Sequence, residues 1–156
     1  MENDMDYSSM IHEHRKIGIQ LEYLTSKALA HLGFTAVQAH ILLYILDHPE
    51  GTSLTAIRQE MGGSMSALSC LMKRLKKNGY VRVEQKPGDD RSKLLFGTEK
   101  GISAKPALRQ TMEQASRQIF EGFSQAELQE LDRFQKKLLD NLSQYASHQQ
   151  LGGSIK

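Results

Sequence analysis

The chain has 156 residues, of which 39% are hydrophobic and 24% are charged, a composition typical of a globular protein with one domain or two small lobes. Its longest apolar run, residues 41–46, is far shorter than the roughly 20 residues of a membrane span. The acidic N-terminus argues against a secretory signal, and the single cysteine, Cys70, excludes an intrachain disulfide. We therefore expect a cytoplasmic protein that does not associate with membranes.

The charges are distributed unevenly along the chain. Residues 73–93 contain eight bases and three acids, a net charge of +5, so the other residues carry −3 of the total of +2. Two interpretations are open for this basic segment. It forms a face that binds a polyanion such as nucleic acid, or it is a solvated helix end, where cations are favoured by the helix dipole.

The first half of the chain reads as a series of helices. Apolar positions at steps of three and four predict a helix over residues 7–31, with the stripe Met10, His14, Ile17, Leu21, Leu24 and Ala28. The sequence from Thr35 to Gln38 fits a capping box that opens the next helix, and a turn follows at residues 49–51.

Two further helices complete the first half. Ser53 is placed to cap a short helix over about residues 54–61. After two glycines, Ser64 or Ser66 is placed to cap a helix that runs to about Asn78, where Asn78 and Gly79 form a stop signal.

The second half begins with a change of period from helical spacing to two. Residues 80–84 and 93–96 alternate between apolar and polar side chains around a turn-forming segment, which predicts a β-hairpin with a basic tip. Thr98 opens another helix to about Phe123, in which Pro106 should kink or delay the first turns. A second capping box from Ser124 to Glu127 opens the last helix.

The order of these elements predicts a mainly α protein with a small β-hairpin. Residues 35–98 have the plan of a winged helix-turn-helix, whose second helix enters the DNA major groove with its N-terminal side chains first. At the hairpin tip, Arg91 is placed to reach the neighbouring minor groove. The groove-facing side chains of the helix are small or basic, and we predict that they are Ser64, Ser66, Ser69, Cys70 and Lys73.

Three segments give the chain a resemblance to the MarR family of bacterial transcriptional regulators. They are LKKNGYV at residues 75–81, DDRS at 89–92, which contains the wing signature Asp-x-Arg, and TEKG at 98–101. The resemblance implies a homodimer that binds double-stranded DNA. It implies that Arg91 is the minor-groove arginine and that Asp89 holds the wing in place. It also implies a repressor of a pseudo-palindromic operator, released by a small phenolic or lipophilic effector.

The resemblance also divides the chain into segments. We expect an N-terminal dimerisation helix over residues 1–34, the DNA-binding lobe over 35–98, C-terminal dimerisation helices over 99–148 and a flexible tail over 149–156. The chain departs from the family pattern at two positions of the recognition helix, where Ala67 and Cys70 replace the threonine and arginine of many relatives. Gly97 replaces an apolar residue, so the second strand of the wing should be loose or bulged.

Alternatives to a DNA-binding repressor remain open from the sequence. The winged helix could meet an acidic protein instead of DNA, and a thiolate at Cys70 could make the regulator a redox switch. We expect no metal site, since His12 and His14 are two residues apart on a helix and point to different sides. We also expect no cofactor and no enzymatic activity, because the sequence has no phosphate-binding glycine loop and no nucleophile elbow.

Overall fold

The computed structural model describes residues 4–85, 88 and 92–152, with side chains up to residue 148. The described part is mainly helical with one two-stranded antiparallel sheet, as the sequence predicted. The chain divides into two compact units, Met1–Gln118 and Ile119–Lys156, which are described separately.

The first unit contains most of the secondary structure. Its elements in chain order are α1 (Tyr7–Leu29), a single 3-10 turn (Ala30–Leu32), α2 (Ala36–Leu46), α3 (Leu54–Met61), α4 (Met65–Lys77), β1 (Val81–Gln85), β2 (Lys93–Gly97) and α5 (Glu99–Ile119), whose last residue belongs to the second unit.

Local side-chain caps explain where the helices of the first unit begin. The Ser9 N–H donates to the Asp6 carboxylate at 3.0 Å at the start of α1. Both hydrogen bonds of the capping box between Thr35 and Gln38 are formed, which confirms that prediction. Ser53 caps α3 by accepting a hydrogen bond from a backbone N–H three residues on, also as predicted.

The core of the first unit lies between α2 and the elements around it. Its largest fully buried side chains come from four helices, and they are Leu29, Ile41, Leu42, Ile45, Ile57 and Leu108. One side of α4 adds Leu68, Met72 and Leu75. The opposite side of α4 is therefore left facing solvent.

The β-hairpin has a regular register, in which Val81 pairs with Gly97 and Gln85 pairs with Lys93. A short bridge between Thr52 and Leu95 ties β2 to the turn before α3, with N–H to carbonyl distances of 3.1 and 2.7 Å. The expected bulge at Gly97 is therefore wrong. A β-carbon at Gly97 would collide with the side chain of Leu46, so the glycine makes room for α2 and does not loosen the strand.

Helix α5 begins directly at Glu99, so Pro106 does not delay it as expected, and the helix continues through the proline. It ends at Ile119, four residues before the predicted end, and Gly122 then adopts a positive φ of 86°. Pro106 lies beyond the first turn of α5, where proline is tolerated best, so it donates no hydrogen bond to the Ile102 carbonyl and the helix continues past this gap in its ladder.

The second unit is dominated by α6 (Gln125–Gly152). The predicted capping box is formed, since the Ser124 N–H donates to the Glu127 carboxylate at 2.8 Å and the Glu127 N–H donates to the Ser124 hydroxyl at 3.1 Å. The helix extends to Gly152, beyond residue 149 where the sequence predicted a tail, and residues 153–156 lie outside the described part of the chain.

Within the described residues, no single helix is long and apolar enough to cross a membrane. The segments Tyr7–Leu32 and Ala36–Leu46 meet the length and composition criteria only as a pair, across a bend of 73°.

Candidate nucleic-acid interface

The N-terminus of α4 presents two serine hydroxyls to solvent. Ser64, not Ser66, is the N-cap, and its hydroxyl accepts a hydrogen bond from the Ala67 N–H at 3.2 Å. The Ser66 hydroxyl lies 3.2 Å from the Ser64 hydroxyl. The free backbone N–H groups and the helix dipole also make this end of α4 favourable for an anion.

One exposed stripe runs along α4 from this end. Ser66, Cys70, Lys73 and Lys77 are all exposed and follow one another at steps of four, three and four, which places them on one side of the helix. The opposite side carries the buried Leu68, Met72 and Leu75. The structure therefore brings the predicted residues Ser66, Cys70 and Lys73 together and adds Lys77, which the sequence alone did not assign.

The predicted residue Ser69 lies beside this stripe, half-buried, and lines a cleft of about 290 Å³ between α4, the start of α3 and the hairpin. The cleft has apolar walls and three lysines, and its lining consists of Leu54, Ser69, Met72, Lys73, Lys76, Val83, Lys93 and Leu95. Lys93 was not predicted as a site residue. Its place in the strand alternation, two residues before the buried Leu95, was the signal available for it.

The other basic side chains of this region differ in whether they are paired within the protein or exposed to solvent. Arg82 on β1 is paired with Glu84 and lies 4.5 Å from the centroid of the Phe96 ring, so its guanidinium is held within the hairpin. Arg74 and Lys77, in the last turn of α4, are exposed. The basic segment thus forms a charged surface on α4 and at the start of β2.

The predicted wing residues Arg91 and Asp89 lie outside the described residues. The two strands that flank them are described. β1 ends at Gln85 and β2 begins at Lys93, which pairs with Gln85 and lines the cleft.

The histidines of the described chain show no arrangement for metal binding. Burial lowers the pKa of His40 on α2, and the negative charge of Glu22 partly opposes this shift. The ring of His48 makes a hydrogen bond of 2.7 Å to the Tyr44 carbonyl. Across the residues that the structure describes, no three His, Cys, Asp or Glu side chains are grouped so that they could hold a metal ion.

A helix pair followed by a hairpin, with a basic exposed face on the second helix, defines the class of winged helix-turn-helix proteins. The model of the MarR family matches residues 32–92. The HTH-type transcriptional regulator SarZ of Staphylococcus haemolyticus is 28% identical over 128 residues, which span 81% of this chain and 80% of SarZ.

Solved structures agree in fold. A MarR-family transcriptional regulator from Listeria monocytogenes, complexed with 26mer DNA, superposes with a TM-score of 0.81 at 23% identity and covers 94% of this chain and 97% of its own. A MarR protein from Peptoclostridium difficile gives a TM-score of 0.82 at 18% identity, covering 93% of this chain and 94% of its own.

Residues 32–92 are therefore similar to the MarR family, and the chain shares the fold of solved winged-helix regulators of that family. This confirms the family resemblance and the fold predicted from the sequence. The family and its relatives are transcriptional regulators, not enzymes, which confirms that part of the prediction as well.

Proposed function

We propose that this chain is a homodimeric repressor that binds a pseudo-palindromic operator through α4 and the wing. The observation that carries the proposal is the exposed stripe on α4, where small hydroxyl and thiol side chains at the N-terminal end are followed by lysines. A helix with this surface fits the roughly 12 Å wide major groove, because small side chains allow close approach and lysines neutralise phosphates.

The proposed DNA contacts divide by role. Ser64, Ser66, Ser69 and Cys70 lie close enough to the helix N-terminus to reach base edges or phosphates, and Lys73 is proposed as a phosphate contact. We propose Arg91 as the minor-groove contact of the wing, with Asp89 holding the wing in place, on the strength of the family motif. The Listeria regulator complexed with 26mer DNA supports DNA as the ligand of this fold.

Dimerisation is supported by apolar side chains that one copy of the chain leaves exposed. On α1 these include Tyr7, Ile11 and Ile17, the last with 54% of its surface exposed. On α6 they include Phe134, Leu138 and Leu142. Large apolar surfaces of this kind are normally covered by a partner. We therefore propose segments 1–34 and 99–148 as dimerisation helices around the lobe 35–98.

Release of the operator is proposed to follow binding of a small phenolic or lipophilic effector. An effector changes DNA affinity only if it binds two dimer geometries with different affinities. A geometry in which the two α4 helices are no longer one helical turn apart, about 34–36 Å, would fail to occupy two half-sites. This regulator would act in the cytoplasm, where bacterial DNA lies.

The first experiment is selection of a randomised duplex library on the purified protein at about 150 mM salt, near physiological ionic strength. We expect enrichment of a two-fold symmetric site with half-sites about 10 base pairs apart, and a molar mass of twice the 17.6 kDa chain in solution. A molar mass of one chain would refute the dimer, and salt-sensitive binding without sequence enrichment would contradict the operator.

The selected operator then tests the wing. Arg91→Ala should weaken binding by about 1–3 kcal/mol in a folded dimer, because it removes one specific groove contact. Arg117→Ala is the matched control, since Arg117 on α5 is held by Glu113 at 2.6 Å. Equal affinities of the two variants would contradict the assignment of Arg91.

Two alternatives predict other results. If the basic face binds an acidic protein, the library selection yields no motif. If Cys70, an exposed thiol on α4, is a redox switch, mild oxidant abolishes operator binding and Cys70→Ser removes that sensitivity.

A further inference from the structure

The C-terminal end of the recognition helix α4 is bonded to the first residues of α5. Three successive carbonyls after the helix, those of Asn78, Gly79 and Tyr80, each accept a hydrogen bond. Their donors are the Lys100 ammonium at 2.7 Å, the Thr98 hydroxyl at 2.5 Å and the Thr98 backbone N–H at 3.1 Å. Thr98 and Lys100 therefore supply the donors for all three of these carbonyls.

Lys100 makes a second contact in the same place. Its ammonium nitrogen lies 4.5 Å from the centroid of the Tyr80 ring, which in turn packs against the Phe34 ring at 4.8 Å between centroids. A cation beside the last carbonyls of a helix also lies at the negative end of the helix dipole. The hydrogen bond to the Asn78 carbonyl, the contact with the Tyr80 ring and the helix dipole all hold this ammonium at the end of α4, although the Lys100 side chain is exposed.

Thr98 and Gly101 complete the junction. The Thr98 hydroxyl that donates to Gly79 also accepts a hydrogen bond from the Gly101 N–H at 3.1 Å, so one side chain caps the start of α5 and bonds the end of α4. Gly101 lies so close to Tyr80 that a β-carbon would overlap the Tyr80 carbonyl oxygen. The Thr98 hydrogen bonds and the close approach of Gly101 to the Tyr80 backbone therefore restrict movement of α5 relative to the end of α4.

We infer that Lys100 is a positioning residue for DNA binding, in that its ammonium fixes the end of the recognition helix to the start of α5. This inference rests on the proposed function of α4. It differs from the ordinary role of a lysine next to DNA, which is to contact a phosphate. Through this junction, any displacement of the first turn of α5 shifts the end of α4, and with it the stripe of Ser66, Cys70 and Lys73.

The test compares Lys100→Met with Lys136→Met on the selected operator. Both variants lose one positive charge, but Lys136 lies on α6 with its ammonium 2.6 Å from Asp132. We expect Lys100→Met to bind about 5–20-fold more weakly than Lys136→Met. This is less than the roughly 13–160-fold equivalent of a whole hydrogen bond from a charged group, because only part of that loss falls on the DNA complex. Lys100→Arg should recover most of the affinity, because a guanidinium also donates to a carbonyl and stacks on tyrosine.

The salt dependence of binding separates positioning from phosphate contact. Each lost phosphate contact reduces the slope of log K against log salt by about 0.9, whereas a lost positioning residue leaves the slope at the wild-type value. A slope reduced by about that amount in Lys100→Met, or an affinity equal to that of Lys136→Met, would overturn the inference.

Hydrogen exchange without DNA provides the second readout. We expect Lys100→Met to exchange faster than wild type at the amides in the last turn of α4 and at wild-type rates in α6, and Lys100→Arg to restore protection. Unchanged protection in α4 would overturn the inference even if the variant binds weakly. If the unmodified protein binds no specific duplex, the proposed function fails, and with it the DNA part of this inference, whatever the exchange arm shows.

Discussion

Gly101→Ala tests the close approach of α5 to Tyr80, in the segment between α4 and β1. The new methyl group would overlap the Tyr80 carbonyl oxygen and lie 3.3 Å from its carbonyl carbon. That carbonyl belongs to the backbone and already accepts the Thr98 N–H at 3.1 Å, so it cannot rotate away as a flexible side chain would. One of the two segments must therefore shift.

The expected magnitude is the difference of two opposing effects. Forcing an extra methyl group into a packed site costs about 1–3 kcal/mol, and replacing glycine by alanine in a helix returns about 0.5–1 kcal/mol. The net loss of unfolding free energy is about 1–2 kcal/mol. For a chain of this size, this lowers the melting temperature by roughly 2–8 °C.

The assay is urea and thermal unfolding at one fixed protein concentration, since the stability of a dimer depends on concentration. The matched control is Ser103→Ala, an exposed position two residues further along α5, which changes helix propensity without a close contact. We expect the control to be as stable as wild type or more stable by a few tenths of a kcal/mol. A Gly101→Ala protein as stable as this control would refute the reasoning.

Two further predictions concern stability. Lys105 and Arg109 lie 2.9 and 2.8 Å from the Asp47 carboxylate, and the hydrogen bond from Lys105, with that from Arg109, lowers the Asp47 pKa. Because a lowered pKa stabilises the fold above the ordinary value of about 3.9, Asp47→Asn should cost up to about 1 kcal/mol at pH 7 for this 43% exposed group. The free energies of unfolding of wild type and Asp47→Asn should converge as the pH falls through the Asp47 pKa. A difference between the two proteins that persists in acid would contradict the ion pair. Ser64→Ala should cost about 1 kcal/mol through loss of the α4 cap, and Ser66→Ala much less. Equal urea midpoints for the two serine variants would disprove the cap.

Features that depend on neighbours in the sequence were predicted well. Helix starts at Thr35, Ser53 and Ser124 are fixed by hydrogen bonds that span three residues, so the pattern alone contains them. The same holds for the end of α4 near Asn78 and Gly79, and for the strands on either side of the turn. The choice between Ser64 and Ser66 as the α4 cap was left open, because both positions satisfy the local pattern.

The site could be predicted in part. The basic segment and the helical period identified Ser66, Cys70 and Lys73 as members of one surface, and the structure places them on one exposed stripe. The sequence did not assign Lys77 or Lys93, because the position of Lys77 on the exposed stripe depends on how far α4 extends, and that of Lys93 in the cleft depends on how the hairpin packs. The wing tip, with Arg91 and Asp89, remains a prediction.

The sequence by itself determined the order of helices, the caps of α2, α3 and α6, the hairpin and the basic segment, because each depends on residues a few positions apart. Only the tertiary structure decided which distant groups meet. Arg109 reaches Asp47 across 62 positions, Lys100 reaches the Asn78 carbonyl across 22, and Gly97 makes room for Leu46 instead of loosening its strand. Such contacts follow from the packing of whole elements, and local periodicity carries no information about the partner that packing selects.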